Sequence, residues 1–197
     1  SLLTFNEVTT FLHEFGHALH GMFSKCTYGS TSMDGVSRDF VELPSQFMEN
    51  FALEKEWLDT WAVHYQTGEK IPQEYIDKIK KSSNFQAGYA SDRQLSFGMV
   101  DMAWHTITEP VTEPLVDFEQ RAMGKTEIMP LVKGSAFSPA FGHIFAGGYA
   151  AGYYGYKWAE VLDADAFSLF KQNGIFDKAT AESFRRNVLE KGASEKP

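Results

Sequence analysis

The chain has 197 residues, of which 43% are hydrophobic and 22% charged, as in an ordinary globular protein. This length suits one domain with a hydrophobic core. The formal net charge of −8 argues against a surface for nucleic acid or for an anionic membrane. No apolar run approaches the roughly 20 residues that span a bilayer. Cys26 is the single cysteine, which excludes an internal disulfide and a cysteine-rich zinc site.

The first predicted element is an amphipathic helix from about Thr4 to Met22. Thr4 followed three positions later by Glu7 is the pattern of a capping box, which begins a helix. Apolar side chains then recur at three- and four-residue spacing, at Phe5, Val8, Leu12, Phe15, Leu19 and Met22. The polar segment 24–39 that follows predicts a loop with room for short strands.

The rest of the chain predicts further helices. A second helix is expected from Phe40 or Pro44 to about Tyr65, and Pro72 suits the first turn of a third. The expected spans of the later helices are 72–81, 84–106, 114–124, 150–170 and 180–192. Because strand signals are weak throughout, the predicted fold class is mainly α, with minor short strands.

A glycine- and tyrosine-rich segment, residues 133–155, interrupts these helices. Tyr149, Tyr153 and Tyr156 stand at i, i+4 and i+7, and side chains with this spacing share one face of a helix. From the residues alone, a packed aromatic stripe is the favoured interpretation. Tyr154 and Trp158 are expected in the core.

The segment HEFGHALH at residues 13–20 carries a possible metal site. On a helix, His13 and His17 lie one turn apart and can present two imidazoles to one ion, with Glu14 beside them. Zinc accepts imidazole and carboxylate ligands, and a catalytic zinc site keeps one position open for water. Glu14 could take a proton from that water as it attacks a carbonyl.

The same segment has a structural interpretation, in which the histidines are ordinary residues of a packed helix. The apolar neighbours Phe11, Leu12 and Phe15 favour a metal, since unpartnered imidazoles on a packed helix would be desolvated. His20 shares nearly the same face as His13, and for His20 we predict a structural role or one behind the metal ligands.

A third ligand is needed, and it is expected among the acidic residues downstream. The candidates are Asp34, Asp39, Glu42, Glu49 and Glu54. Glu42 is favoured because it sits among apolar residues at the start of a predicted helix, where a carboxylate without a partner is costly to bury. Glu49 could accept a hydrogen bond from a ligand histidine, or it could be a solvated helix carboxylate.

Three segments together resemble one known family. HEFGHALHGMF, RDFVELPSQ and FGHIFAGGYAAGYYGYKWAEV follow in the order found in the M3 family of zinc peptidases, and the resemblance covers nearly the whole chain. The stretch HIFAGGYAAGYYGY is most similar to the peptidyl-dipeptidase (Dcp) branch. The resemblance implies a mainly α, zincin-like catalytic domain that hydrolyses short peptides, with release of C-terminal dipeptides expected.

The resemblance implies a role for each matching residue. His13 and His17 match the two zinc histidines, Glu14 matches the general base, and Glu42 matches the third ligand of the one zinc ion per chain. His143, Tyr149 and Tyr156 match residues that contact the peptide and the tetrahedral intermediate. Tyr153 is a further residue expected to face the substrate, and Gly147 and Gly148 would let the loop close on it.

The resemblance also implies that this chain, residues 1–197, is the C-terminal catalytic region of a longer enzyme. The N-terminal part, which forms the opposite wall of the family's substrate channel, is absent. The expected partners are therefore short peptides, with no nucleic acid or membrane. The longer protein is expected to be a monomer, while this chain could self-associate through exposed apolar surface. We expect a cytoplasmic location, with the periplasm as the alternative.

Three other hypotheses remain open. The chain could bind zinc and peptide without catalysing hydrolysis, because the opposite channel wall is missing. The HEFGH motif could be accidental in a structural helical domain. The third hypothesis is a different enzyme class with the same motif, such as an M32-type carboxypeptidase. The segments DFVELPSQ and HIFAGGYAAGYYGY argue against this third hypothesis.

Overall fold

The computed structural model describes residues 2–130 and 132–197 and is almost entirely helical. The mainly α prediction is thereby confirmed. The minor strands are a correction: within the described residues, extended backbone pairs only at an isolated antiparallel bridge between Val63 and Lys70. None of the helices described combines the length and the apolar character needed to cross a bilayer.

The helices fall into two compact groups. The α-helices of the described residues are Phe5–Phe23 (α1), Leu43–Glu49 (α2), Lys55–Leu58 (α3), Gln73–Ser83 (α4), Ala87–His105 (α5), Leu115–Met123 (α6), Gly142–Phe145 (α7), Gly155–Asn173 (α8) and Lys178–Asn187 (α9). Short 3₁₀ turns cover Gly29–Thr31, Met33–Gly35, Asn50–Leu53, Ser138–Ala140 and Leu189–Lys191. Residues up to Ser83 together with Trp158–Pro197 form the first unit, and Asn84–Lys157 form the second.

Helix α1 begins as the capping box predicts. The Thr4 hydroxyl accepts a hydrogen bond from the Glu7 backbone N–H at 3.3 Å, and the Glu7 carboxylate accepts one from the Thr4 N–H at 2.7 Å. Two N–H groups that a helix start leaves unpaired are satisfied in this way. The buried line of α1 runs through Leu12, Gly16 and His20, one turn apart.

Part of the apolar pattern of α1 faces solvent. Phe11 and Met22 are 63% and 65% exposed, and the rings of Phe11 and Phe15 stack with centroids 6.1 Å apart. Exposed apolar surface of this kind was expected from the sequence. Self-association through it stays a prediction.

The long second helix predicted up to Tyr65 is wrong. Helix α2 ends at Glu49, and a 3₁₀ turn and the short α3 follow. The Asn50 side-chain amide donates to the Gln46 and Phe47 carbonyls at 3.2 and 3.3 Å. Side-chain bonds of this type compete with the helical backbone pattern, which explains the break at this position.

The core of the first unit is aromatic. Its buried residues are Phe47, Phe51, Phe167, Phe170 and Ile175, from α2, the following 3₁₀ turn, α8 and the connection to α9. Phe47 stacks on Phe184 with centroids 4.2 Å apart. Packing of this density fixes α2 against α8 and α9, and thereby the start of α2, where Glu42 lies.

The second unit has its own core. The buried residues are Phe97, Val100, Met123, Phe141, Ile144 and Tyr153.

Helices α4, α5 and α6 confirm the predicted spans to within a few residues. The expectation that Tyr154 and Trp158 are core residues is wrong, because their side chains are 47% and 49% exposed.

Candidate metal centre

Helix α1 and the residue before α2 bring three potential ligands together. The His13 and His17 rings have centroids 5.0 Å apart and nearly perpendicular planes, at 86°. Nε2 of each ring lies 3.3 Å from Oε2 of Glu42. The potential ligand atoms of the three residues all lie within 4.8 Å of one another. The acidic residue favoured from burial arguments is therefore the one that meets both histidines.

Gly16 permits this approach. A Cβ built on Gly16 would lie 2.3 Å from the carbonyl oxygen of Pro44 and 2.5 Å from Cα of Ser45. Contacts this short are forbidden to any side chain, so only glycine lets the α2 backbone come so close to α1. The glycine between Glu14 and His17 therefore sets the distance from Glu42 to the histidines.

The Glu42 carboxylate is held in place from its own helix. Its side chain is 3% exposed, against 23% and 24% for His13 and His17. The Ser45 hydroxyl lies 2.8 Å from Oε2 and 2.9 Å from the Glu42 carbonyl oxygen, so it can donate to either. A carboxylate buried this deeply is costly unless hydrogen bonds or a cation compensate its charge.

The three residues fit a zinc ion. Zinc binds imidazole nitrogen and carboxylate oxygen at about 2.0–2.2 Å, and in a tetrahedron such bonds place neighbouring ligand atoms about 3.3–3.5 Å apart. The two separations of 3.3 Å between Glu42 and the histidines match that edge. Two histidines and one carboxylate also leave the fourth position open, as catalytic zinc sites do.

Glu49 contacts the outer side of a candidate ligand. Its Oε1 lies 2.7 Å from Nδ1 of His13. This hydrogen bond raises the pKa of the His13 imidazole, against the opposing effect of burial. Of the two interpretations of Glu49, the hydrogen-bond partner of a ligand histidine is therefore the one that the geometry fits.

Two other residues of the motif differ in their surroundings. Glu14 is exposed on α1 beside His13. His20 is fully buried, and within the described part of the chain its two ring nitrogens have no hydrogen-bond partner. Burial lowers the pKa of His20, which favours the neutral ring. These surroundings fit a packing role for His20 rather than contact with a ligand residue.

The second unit gathers the other predicted site residues into one aromatic cluster. The rings of Tyr149 and Tyr156 stack with centroids 4.8 Å apart, and Tyr153 lies 5.0 Å from Tyr156. The His143 ring lies 6.0–6.4 Å from all three. We call these four residues the His–Tyr cluster. Its tyrosines are neighbours, as their spacing predicts, but the single helix face is wrong, because Tyr149 and Tyr153 precede α8 in a turn.

Tyr153 is a buried member of the cluster, with the same 8% exposure as Tyr149. Its ring packs edge-on against Phe97 and Phe141, and its hydroxyl donates to Gln94 Oε1 at 3.2 Å. Burial raises its pKa. The substrate-facing role expected for Tyr153 stays a prediction.

The backbone conformation of the turn explains why Gly147 and Gly148 are glycines. Gly148 has φ of +82°, a conformation that glycine adopts without strain. A Cβ on Gly147 would come within 2.9 Å of the His143 backbone. Both residues are therefore required by the turn itself, while the predicted closure on a substrate stays a prediction.

The sequence interpretation missed two buried carboxylates of the second unit. Asp101 on α5 accepts hydrogen bonds from the backbone of residues 151 and 153, and Glu119 on α6 accepts them from residues 137 and 138. Asp101 stands in an otherwise apolar stretch, MVDMAW, and an acidic residue in such a stretch was the available signal, since burial without partners is costly. Glu119 stands in LVDFEQ beside the polar residues Asp117 and Gln120, and this stretch carries no such signal.

A family comparison bears on this site. The sequence pattern of peptidase family M3 matches residues 1–197, and so covers all three candidate ligands. The chain belongs to peptidase family M3. The resemblance found in the three sequence segments is thereby confirmed.

Curated members of the M3 family align with the whole chain. Oligopeptidase A of Escherichia coli (strain K12) is 45% identical over 203 residues, covering 100% of this chain and 29% of that protein. The organellar oligopeptidase A, chloroplastic/mitochondrial, of Arabidopsis thaliana is 46% identical, covering 100% and 26%. Dipeptidyl carboxypeptidase of Escherichia coli is 38% identical, covering 99% and 29%.

Two conclusions follow from these figures. The chain spans less than a third of the length of these M3 relatives. The expectation of greatest similarity to Dcp is wrong, because identity is higher with oligopeptidase A than with dipeptidyl carboxypeptidase. The stretch HIFAGGYAAGYYGY was too short to decide between branches of one family.

Proposed function

We propose that this chain carries the catalytic zinc centre of a metallopeptidase that hydrolyses peptide bonds in short peptides. One zinc ion per chain would be held by His13, His17 and Glu42. The observation that carries the proposal is the position of Glu42 Oε2, 3.3 Å from Nε2 of both histidines. Membership of peptidase family M3 supports it.

The proposed mechanism divides the work among residues of the first unit. Zinc, when bound, supplies Lewis acidity that makes a water easier to deprotonate and a carbonyl easier to attack. Glu14 accepts the proton of the attacking water and later delivers it to the leaving amine. Glu49 holds the His13 ring through Nδ1, so that Nε2 keeps its lone pair for the ion.

The proposed roles of the His–Tyr cluster rest on the family resemblance. His143, Tyr149 and Tyr156 are proposed to contact the peptide, with the Tyr156 hydroxyl donating to the developing oxyanion. Tyr153, which is 8% exposed like Tyr149, is proposed as a further substrate-facing residue. Substitution of these residues in an active protein tests the assignments one by one.

The bond that is cleaved is a separate part of the proposal. Names of the M3 relatives point both to oligopeptides and to carboxyl-terminal dipeptides. Release of C-terminal dipeptides is proposed for this chain, and cleavage of oligopeptides at other bonds is the alternative, because identity is higher with oligopeptidase A than with dipeptidyl carboxypeptidase. Mass spectrometry of the products from a peptide with a free and with an amidated C-terminus distinguishes the two. A cytoplasmic location is likewise proposed.

Zinc stoichiometry is the first experiment. Elemental analysis of the purified chain should find close to one zinc per chain, and His17→Ala should lose it. Absence of zinc after reconstitution, in a chain with intact helical circular dichroism, would contradict the proposed centre.

Hydrolysis is the second experiment. Glu14→Gln should keep the zinc and lose cleavage of a quenched peptide, while Glu56→Gln, an exposed change on α3, should alter neither. A chain that binds zinc and peptide but does not cleave would favour the binding-only hypothesis. Turnover by Glu14→Gln would remove Glu14 from the mechanism.

A further inference from the structure

Asp101 is fully buried near the end of α5, and both of its carboxylate oxygens have partners. Its Oδ1 accepts a hydrogen bond from the Ala151 N–H and its Oδ2 accepts one from the Tyr153 N–H, each at 2.9 Å. Nδ1 of His105, one turn along α5, lies 2.8 Å from Oδ1. Both carboxylate oxygens thus have partners. Two of the three contacts are with one short turn, about 50 residues further along the chain.

That turn contains a residue in an unfavourable backbone conformation. Ala151 has φ of +52°, in the left-handed region that residues with a Cβ rarely adopt. A strained residue persists only when the surrounding structure compensates its cost. Hydrogen bonds from N–H groups to a charged acceptor are among the stronger ones in proteins, and Asp101 accepts one from the strained residue itself and one from the residue two positions later.

The turn also sets the arrangement of the His–Tyr cluster. Tyr149 and Tyr153 lie at its two ends, and Tyr156 follows in the first turn of α8. Since the backbone between Tyr149 and Tyr153 is short, its conformation decides how their rings meet Tyr156, at 4.8 and 5.0 Å. The hydrogen bonds that Asp101 accepts from this turn come from backbone N–H groups. Asp101 therefore acts on the tyrosine rings through the backbone.

We propose that Asp101 is a positioning residue whose carboxylate clamps the 149–153 turn and so preorganises Tyr149 and Tyr156. The clamp is inferred from contacts within this chain and does not depend on the proposed function. Its consequence for catalysis rests on the proposed function. Neither the HEFGH motif nor the position of Asp101 in α5 predicts this role.

Amide hydrogen exchange tests the clamp directly. In Asp101→Asn one acceptor oxygen becomes an NH₂ group facing an N–H, so exchange at the Ala151 and Tyr153 amides should accelerate roughly tenfold or more. The ¹⁹F signals of fluorotyrosine at positions 149 and 156, assigned with Tyr→Phe variants, should shift or broaden. Unchanged exchange and unchanged signals would overturn the proposal.

Two control variants separate the clamp from general stability. Glu119→Gln weakens an equally buried carboxylate that binds the Phe137 and Ser138 amides, and its effect should stay at those amides. Asp117→Asn makes the same chemical change at an exposed position of α6 and should change neither set. If Glu119→Gln exposed the Ala151 and Tyr153 amides as strongly as Asp101→Asn, the specific role of Asp101 would be refuted.

A second background covers the case in which Asp101→Asn does not fold. Ala151→Gly adopts the left-handed conformation without the Cβ cost, so the turn depends less on its clamp. In that background the Asp101→Asn substitution should be tolerated and should still accelerate exchange at Tyr153. Full protection of Tyr153 in the double variant would overturn the proposal.

Hydrolysis of a quenched peptide tests the catalytic consequence. Asp101→Asn should lower kcat/KM with zinc content unchanged, and Ala151→Gly should restore part of the loss. If the clamp is lost and kcat/KM is unchanged, the positioning role is refuted while the proposed function stands. Failure of the unsubstituted zinc-loaded chain to cleave contradicts the proposed function, and the exchange data still decide on the clamp.

Discussion

Glu49 and His13 form a contact that defines one side of the candidate metal centre: Oε1 of the carboxylate lies 2.7 Å from Nδ1 of the imidazole. The other ring nitrogen, Nε2, faces Glu42 at 3.3 Å. When Nδ1 carries the proton, Nε2 is left with a lone pair for a metal ion. A carboxylate behind a ligand histidine thus fixes both the tautomer and the orientation of the ring.

Loss of that carboxylate should weaken zinc binding. Glu49→Gln keeps a hydrogen-bond acceptor but removes the charge, and we expect zinc affinity to fall by roughly 10- to 100-fold. Competition with a chromophoric chelator measures the change. Glu56→Gln, an exposed acid on α3, is the matched control and should leave affinity unaltered. Equal affinities for Glu49→Gln and the original chain would show that the contact does not support the ligand.

Gly16→Ala should disrupt the close approach of α1 and α2. The new methyl group would overlap the Pro44 carbonyl, so α2 must move or the helices must separate. We expect a loss of unfolding free energy of about 1–3 kcal/mol, as for other overpacked sites. Because Glu42 stands at the start of α2, zinc affinity should fall as well.

Gly21→Ala provides the control on the same helix. The nearest atom to a Cβ at Gly21 is the Met33 sulfur, at 3.7 Å, an ordinary contact. Alanine is the better helix former, so this variant should gain up to about 1 kcal/mol and keep its zinc. Chemical denaturation of the metal-free proteins measures both changes. A stable, zinc-binding Gly16→Ala would show that the short interhelical distance is dispensable.

Asp163 should make stability depend on pH. It lies buried on α8, with the Asn50 amide donating to its Oδ1 at 2.9 Å, and burial raises its pKa to about 6. A pKa above the unfolded value means that the carboxyl favours folding below about pH 4 and that this contribution is lost as pH rises through about 6. The cost of the buried charge at pH 7.5 is on the order of 3 kcal/mol.

Asp163→Asn removes that charge while keeping an acceptor for Asn50. The variant should be more stable than the original chain at pH 7.5, and the advantage should shrink toward pH 4. Denaturation of metal-free protein at a series of pH values measures it, since zinc binding has a pH dependence of its own. Asp165→Asn, exposed on the same helix, should show no such trend. An advantage independent of pH would contradict the raised pKa.

Tyr156→Phe should lower the rate of peptide cleavage without loss of zinc. A donor lost from an oxyanion costs roughly 100-fold or more in kcat in the enzymes where it has been measured. The ring stacking on Tyr149 is retained by phenylalanine, so stability should change little. Tyr65→Phe, at an exposed position, is the control. An unchanged kcat would leave Tyr156 as a packing residue only.

Local features of this chain were predictable because they depend on near neighbours. The capping box of Thr4 and Glu7 and the common face of His13 and His17 follow from helical periodicity. The end of α2 was not predictable in this way, because Asn50 donates both to nearby carbonyls and to Asp163 on α8. Competition of that kind depends on which side chains tertiary packing places beside the helix.

The sequence by itself determined the mainly α class, the pair of histidines with Glu14, and the family. Burial arguments favoured Glu42 among five acids, and the family resemblance pointed to the same residue, 29 positions after His13. Tertiary structure decided that this carboxylate lies beside both histidines, through the absent side chain of Gly16, which lets two backbones meet. It also decided the clamp by Asp101, because hydrogen bonds between a carboxylate and the amides of a distant turn leave no periodic trace in a sequence.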